Sequence, residues 1–169
     1  MVKRKSSIKF NFMLLVVLFF AILMMVSFFL HFVSFRQETI IGDRDFHYSA
    51  SSILSGEFPQ DSDDSMQVFG NIALRLGVLT SLVGGVLLII LVAVAFFLPK
   101  VKIITKIEKI VSLVVAVVAI VALIGALIIA NRTAVSYGTL YDFQLVLDVG
   151  IYMYVASSIG ICVSSMFVK

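Results

Sequence analysis

The chain has 169 residues, of which 61% are hydrophobic and 14% charged, with two prolines, one cysteine and no tryptophan. A soluble domain carries roughly 25% charged residues, and a fold of this size leaves too much surface in water to hide so apolar a composition. Cys162 has no second thiol, which excludes an intrachain disulfide and Cys-x-x-Cys redox chemistry. The net charge of +3 is gathered in short segments, so lipid headgroups serve as its counterions and no nucleic acid is needed.

Residues 1–9, "MVKRKSSIK", form a basic N-terminus. The apolar run over 10–35 is about twice the length of a signal-peptide core and ends at no small-x-small cleavage site. It is expected to stay as a first membrane-spanning helix, bulky with Phe19, Phe20, Phe28, Phe29 and Phe32. Residues 36–69 make an outer loop in which Arg36 and Arg44 face seven acids: Glu38, Asp43, Asp45, Glu57, Asp61, Asp63 and Asp64. The stretch "RDFHYSASSILSGEFP" within it reads as a short amphipathic helix or as strands over the bundle, and its apolar residues suit a protein contact.

A second span covers 70–98, and 99–109 is a basic cytoplasmic link with Lys100, Lys102, Lys106 and Lys109 against Glu108. The third span covers 110–130, the second outer loop 131–148 and the fourth span 149–168. Positive charge on the inner side of the membrane then places both termini and the 99–109 link in the cytoplasm. The expected fold is a single all-α domain, a four-transmembrane-helix bundle with a small outer cap from the first loop. The plasma membrane is its expected location.

Small residues recur every fourth position in the second span, at Ala73, Gly77, Ser81 and Gly85, and again in the fourth at Ala156, Gly160 and Ser164. Positions four apart share one face of a helix, and in lipid small residues let backbones approach. These seven are the expected helix-packing residues. Ala119, Ala122 and Ala126 give the third span a similar side.

Candidate chemistry is sparse. No ionisable group lies at the centre of any span, where membrane enzymes and transporters place theirs. His31 reads as an interfacial residue, because no His, Asp or Glu stands at metal-ligand spacing beside it. Arg75 and Asp148 fall near one outer plane and are expected to form an interfacial ion pair, with an anion or lipid-headgroup site at Arg75 as the alternative. "DSDDS" at 61–65 resembles the start of a calcium loop, but Met66 replaces the turn glycine and no Glu closes the loop. "NRT" at Asn131 matches a glycosylation acceptor but abuts the third span. No catalytic, cofactor-binding or metal residue is assigned, and no enzymatic activity is expected.

The layout of cytoplasmic termini, long first outer loop, short basic link and shorter second loop resembles the claudin and peripheral-myelin-protein group of tetraspan proteins. "SYG" at 136–138, before a span rich in small residues, is similar to claudin-like relatives. The resemblance implies an outer β-sheet and a role in cell contacts. The group's tryptophan-rich motif with two cysteines is absent from the first loop, so no functional residue is carried across. The expected function is that of a tetraspan scaffold or accessory subunit that associates with itself or with membrane-protein partners. A small oligomeric channel or transporter is the alternative. A membrane lipid enzyme is a third possibility for which the residues offer no constellation.

Overall fold

The computed structural model describes residues 12–38, 44–55, 65–98, 102–136 and 142–168. Helix α1 (Phe12–Ser27) leads into strand β1 (His31–Glu38), which is followed by β2 (Arg44–Ser49) and the short helix α2 (Ala50–Ser55). Two long helices follow, α3 (Ser65–Phe97) and α4 (Lys102–Ser136), then strand β3 (Asp142–Leu147) and helix α5 (Val149–Met166).

Three of these helices are long and apolar enough to cross a membrane: α3, α4 over Ile103–Asn131, and α5. The helix of the 10–35 stretch is shorter than expected. Among the described residues it occupies 16, a rise of ~24 Å, and the chain leaves it through turns to enter a strand at His31. The break follows from composition. Beyond Ser27 the sequence passes from continuous apolar residues to the alternation Val33, Ser34, Phe35, Arg36, which is the period of a strand with one buried face.

The expected all-α fold therefore needs correction, since an antiparallel three-stranded sheet of order β2-β1-β3 caps the helices. Strand β1 pairs with β2 in the register Ser34↔His47 and Phe35↔Phe46. It pairs with β3 as Val33↔Leu147 and Phe35↔Leu145. The central strand thus ties the segment that precedes α3 to the segment that precedes α5. Val33, Phe35 and Leu145 are buried on one face, where Phe35 also meets Tyr48 edge-on at 5.6 Å. Ser34, Arg36, Asp45 and His47 alternate onto the other face, with Arg36 and Asp45 paired at 3.2 Å.

Below the sheet, α3 packs on α4 and α1, and α5 packs on α4 and α1, closing a ring of four helices. Glycines allow the closest approaches. A Cβ on Gly70 would stand 2.8 Å from the Gly125 carbonyl oxygen, and one on Gly77 would clash with the Ala122 methyl. About two turns further along α3, Gly85 faces the Ala21 carbonyl and Met25 of α1. Ala73, Gly77, Ser81 and Gly85 are all buried, so the groove of α3 is filled from within the chain by α4 and α1. On α5, Gly160 meets the Phe20 ring and Ser164 is buried, whereas Ala156 is exposed. The face α5 turns inward is Gly150, Ile151, Tyr154, Ser157, Ser158, Ile161, Ser164 and Ser165. Large Tyr154 and Ile161 steer the packing there, and Ala156 offers no area to compete with them.

Hydroxyls inside the ring bond to their own helices. Ser27, Ser81, Ser112 and Ser158 donate to carbonyls three or four residues back, which satisfies them without water. The outer surface is the inverse of a soluble bundle. Leu76, Leu79, Val83 and Ile90 on α3, Ile110, Leu113, Val117 and Ile124 on α4, and Phe12, Leu15, Phe19 and Ile22 on α1 are all exposed. An apolar belt of that extent is far beyond the patches of soluble monomers and matches hydrocarbon.

Candidate functional site

The most concentrated polar chemistry among the described residues lies where the sheet meets the ends of α1 and α5. Asp148 is the N-cap of α5, its side chain accepting from the Val149 N–H. Its own N–H donates to the Phe32 carbonyl at 3.0 Å, which extends the β1–β3 pairing to the helix start. The helix end is thereby fixed to the sheet, and the carboxylate is held above β1. There Ser34 Oγ–H donates to Asp148 Oδ2, and Ser34 Oγ also lies 2.7 Å from His47 Nδ1. His47 Nδ1 stands 3.4 Å from the same carboxylate oxygen.

His31 joins this group through an irregularity in β1. The register runs His31↔Ser49 and then Val33↔Tyr48, so Phe32 is an extra residue on β1. A one-residue shift turns a side chain to the opposite face of a sheet. Here it puts His31 on the face of Ser34 and His47 while Phe32 turns into the core, 6.2 Å from the Tyr154 ring. The His31 and His47 rings stack at 4.9 Å with 22° between their planes. Gly150 permits the close approach of α5, since a Cβ there would lie 2.5 Å from the His31 carbonyl oxygen.

Partial burial pushes the Asp148 carboxyl upward in pKa, but hydrogen bonds from Ser34, the Val149 N–H and His47 outweigh it. The carboxyl therefore titrates below its ordinary value. The order Asp148–Ser34–His47 is not that of a nucleophilic triad, in which the histidine stands between the acid and the hydroxyl. Here the hydroxyl is central, and both of its contacts serve to hold the other two groups.

Two expectations change at this site. Asp148 pairs with His47, and no ion pair joins it to Arg75 among the described residues. Position 77 of α3 lies beside Tyr154, six residues into α5 and thus roughly 9 Å below Asp148. Half-buried Arg75, two residues from Gly77, starts deeper than the carboxylate it was expected to meet. His31 is also not isolated. Donor atoms of His31, His47 and Asp148 lie within 4.8 Å of one another, a grouping hidden from local spacing because three separate segments supply it.

A second feature lies at the opposite end of the bundle. Glu108 is fully buried on α4, and neither of its carboxylate oxygens has a hydrogen-bond partner among the described residues. Its spacing to Ser112, Val115, Ala119 and Ala122, alternately four and three residues, places it on the buried stripe of that helix. The "DSDDS" acids Asp61–Asp64 lie outside the described residues, and Asn131 is exposed within α4. Cys162 is a free, half-buried thiol on α5. No protein-family model, curated protein or solved structure matches the chain.

Proposed function

We propose that the chain is a four-pass, claudin-like membrane protein of the plasma membrane, with both termini cytoplasmic. In this reading it acts as a structural or interaction component, either self-associated or as an accessory subunit of a larger membrane assembly. The observation that carries the reading is the sheet. Strand β1 joins both outer segments into one platform whose outermost strands among the described residues, β2 and β3, offer edges for β-augmentation or side-by-side contact. Phe46 on β2 and Val146 on β3 are exposed there.

The fourth pass is supported by α1, which sits in the ring between α3 and α5 and turns Phe12, Leu15, Phe19, Ile22 and Val26 outward. The charge asymmetry of the sequence supports the orientation. The test is purification from native membranes in mild detergent, with mass and stoichiometry measured for the unaltered chain and for Phe46→Lys and Val146→Lys. A fixed complex or oligomer that at least one substitution dissociates is expected. A monomer throughout, or a complex indifferent to both edges, contradicts the reading.

The rival reading as a small oligomeric channel or transporter draws on Glu108, because an ionisable group buried in a membrane bundle is costly unless used. Ion or proton flux in liposomes that Glu108→Gln abolishes would select it over the scaffold.

A further inference from the structure

We propose that His31, His47 and Asp148 form a site for a divalent transition-metal ion of the Zn2+ class, which clamps the outer sheet to the helix bundle. The three side chains come from the start of β1, from β2 and from the N-cap of α5. Their donor atoms are mutually within 4.8 Å. Two ligands about 2.0–2.1 Å from a tetrahedral zinc ion stand roughly 3.4 Å apart. The separation of His47 Nδ1 from Asp148 Oδ2 is 3.4 Å, so one edge of such a tetrahedron is already in place. His31, stacked on His47 and exposed, needs only side-chain rotation to supply the third donor.

Two imidazoles and one carboxylate make a borderline set that selects zinc or copper over calcium or magnesium, which take oxygen ligands. Ser34 Oγ contacts the two donor atoms themselves, His47 Nδ1 and Asp148 Oδ2, and so holds them side by side; an ion takes over the Nδ1 lone pair from that hydroxyl while Ser34 keeps its bond to the carboxylate. Three protein donors leave a fourth position to water. The bulge at Phe32 acquires a purpose in this arrangement, because without it His31 would point to the opposite face.

The site tolerates a clean test because the chain has only two histidines, and both belong to it. Full-length protein with any affinity tag removed is titrated with Zn2+ in detergent or nanodiscs by calorimetry, and with Co2+ by visible absorption. About one equivalent is expected to bind saturably and to raise the melting temperature. His31→Gln and His47→Gln should each weaken binding at least tenfold and abolish the thermal shift, and Ser34→Ala should weaken it less. His31 is exposed, so its substitution leaves the apo fold intact and decides the matter even if the His47 variant unfolds. Non-saturable binding, Ca2+ binding as strong as Zn2+ binding, or His31→Gln protein that binds Zn2+ as the unaltered chain does would overturn the proposal.

Discussion

Gly77 of α3 and Ala122 of α4 meet so closely that a β-carbon on the glycine would clash with the alanine methyl. Tyr154 closes the same spot from α5, 3.4 Å from that position. Three helices therefore converge on a residue without a side chain. In lipid, where apolar surface gains nothing by leaving its surroundings, such contact is the main source of helix association.

Gly77→Ala should already destabilise the bundle, and Gly77→Leu should cost on the order of 1–3 kcal/mol or more through overpacking. Val83→Leu, at a position 61% exposed on the same helix, should be close to neutral. Gly85→Leu is expected to fall nearer Gly77→Leu, since a β-carbon there meets the Ala21 carbonyl at 3.3 Å. Thermal unfolding in one detergent ranks the four variants, and equal effects at Gly77 and Val83 would mean that α4 does not occupy the groove.

The sheet is testable by cross-linking. Ser34 and Val146 are Cα partners across β1 and β3. Directly opposed antiparallel residues have Cα atoms about 4.5–5.5 Å apart, within the range of a disulfide. In a Cys162→Ser background, Ser34→Cys with Val146→Cys should oxidise readily, while Ser34→Cys with Leu145→Cys should not. The reverse result would shift the register by one residue and turn the buried face outward.

Asp148 caps α5 and holds Ser34 and His47, so Asp148→Ala should cost about 1–2 kcal/mol, with Asp148→Asn milder because asparagine also caps. A double-mutant cycle separates its partners. Asp148→Ala with Ser34→Ala should depart clearly from additivity. Asp148→Ala with Arg75→Ala should be additive to within about 0.5 kcal/mol. Strong coupling to Arg75 would restore the ion pair that the geometry replaces.

Glu108 makes the opposite prediction. A buried carboxyl without a hydrogen-bond partner among the described residues is a cost to the fold, so Glu108→Leu should raise the melting temperature, and Glu108→Gln should leave it unchanged or raise it. A marked loss of stability in both would reveal a partner for the carboxyl.

The helices and their packing were legible because the sequence states them locally. Long uninterrupted apolar runs mark α3, α4 and α5, and the small residues of α3 mark the groove that α4 and α1 fill. Strand β1 was obscured because His31 to Phe35 continue the apolar run of α1, although the alternation from Val33 onward carries the strand period. On α5 the spacing of Ala156, Gly160 and Ser164 pointed to a face that Tyr154 and Ile161 override. Glu108 continues the stripe of Ser112, Ala119 and Ala122, but its place among four lysines groups it with the charges of the 99–109 link. The His31, His47 and Asp148 group was not readable. It depends on a bulge and on pairing between segments far apart in the chain, neither of which leaves a local signal.

A four-pass chain that presents its sheet outside the cell gives a definite pattern of single-cysteine labelling in a Cys162→Ser background. A membrane-impermeant maleimide should label Ser51→Cys, exposed on α2 beside the sheet, on intact cells. It should reach Ser6→Cys and Lys106→Cys, the latter at the far end of α4, only after permeabilisation. Labelling of Ser6→Cys on intact cells, or protection of Ser51→Cys, would overturn the four-pass arrangement.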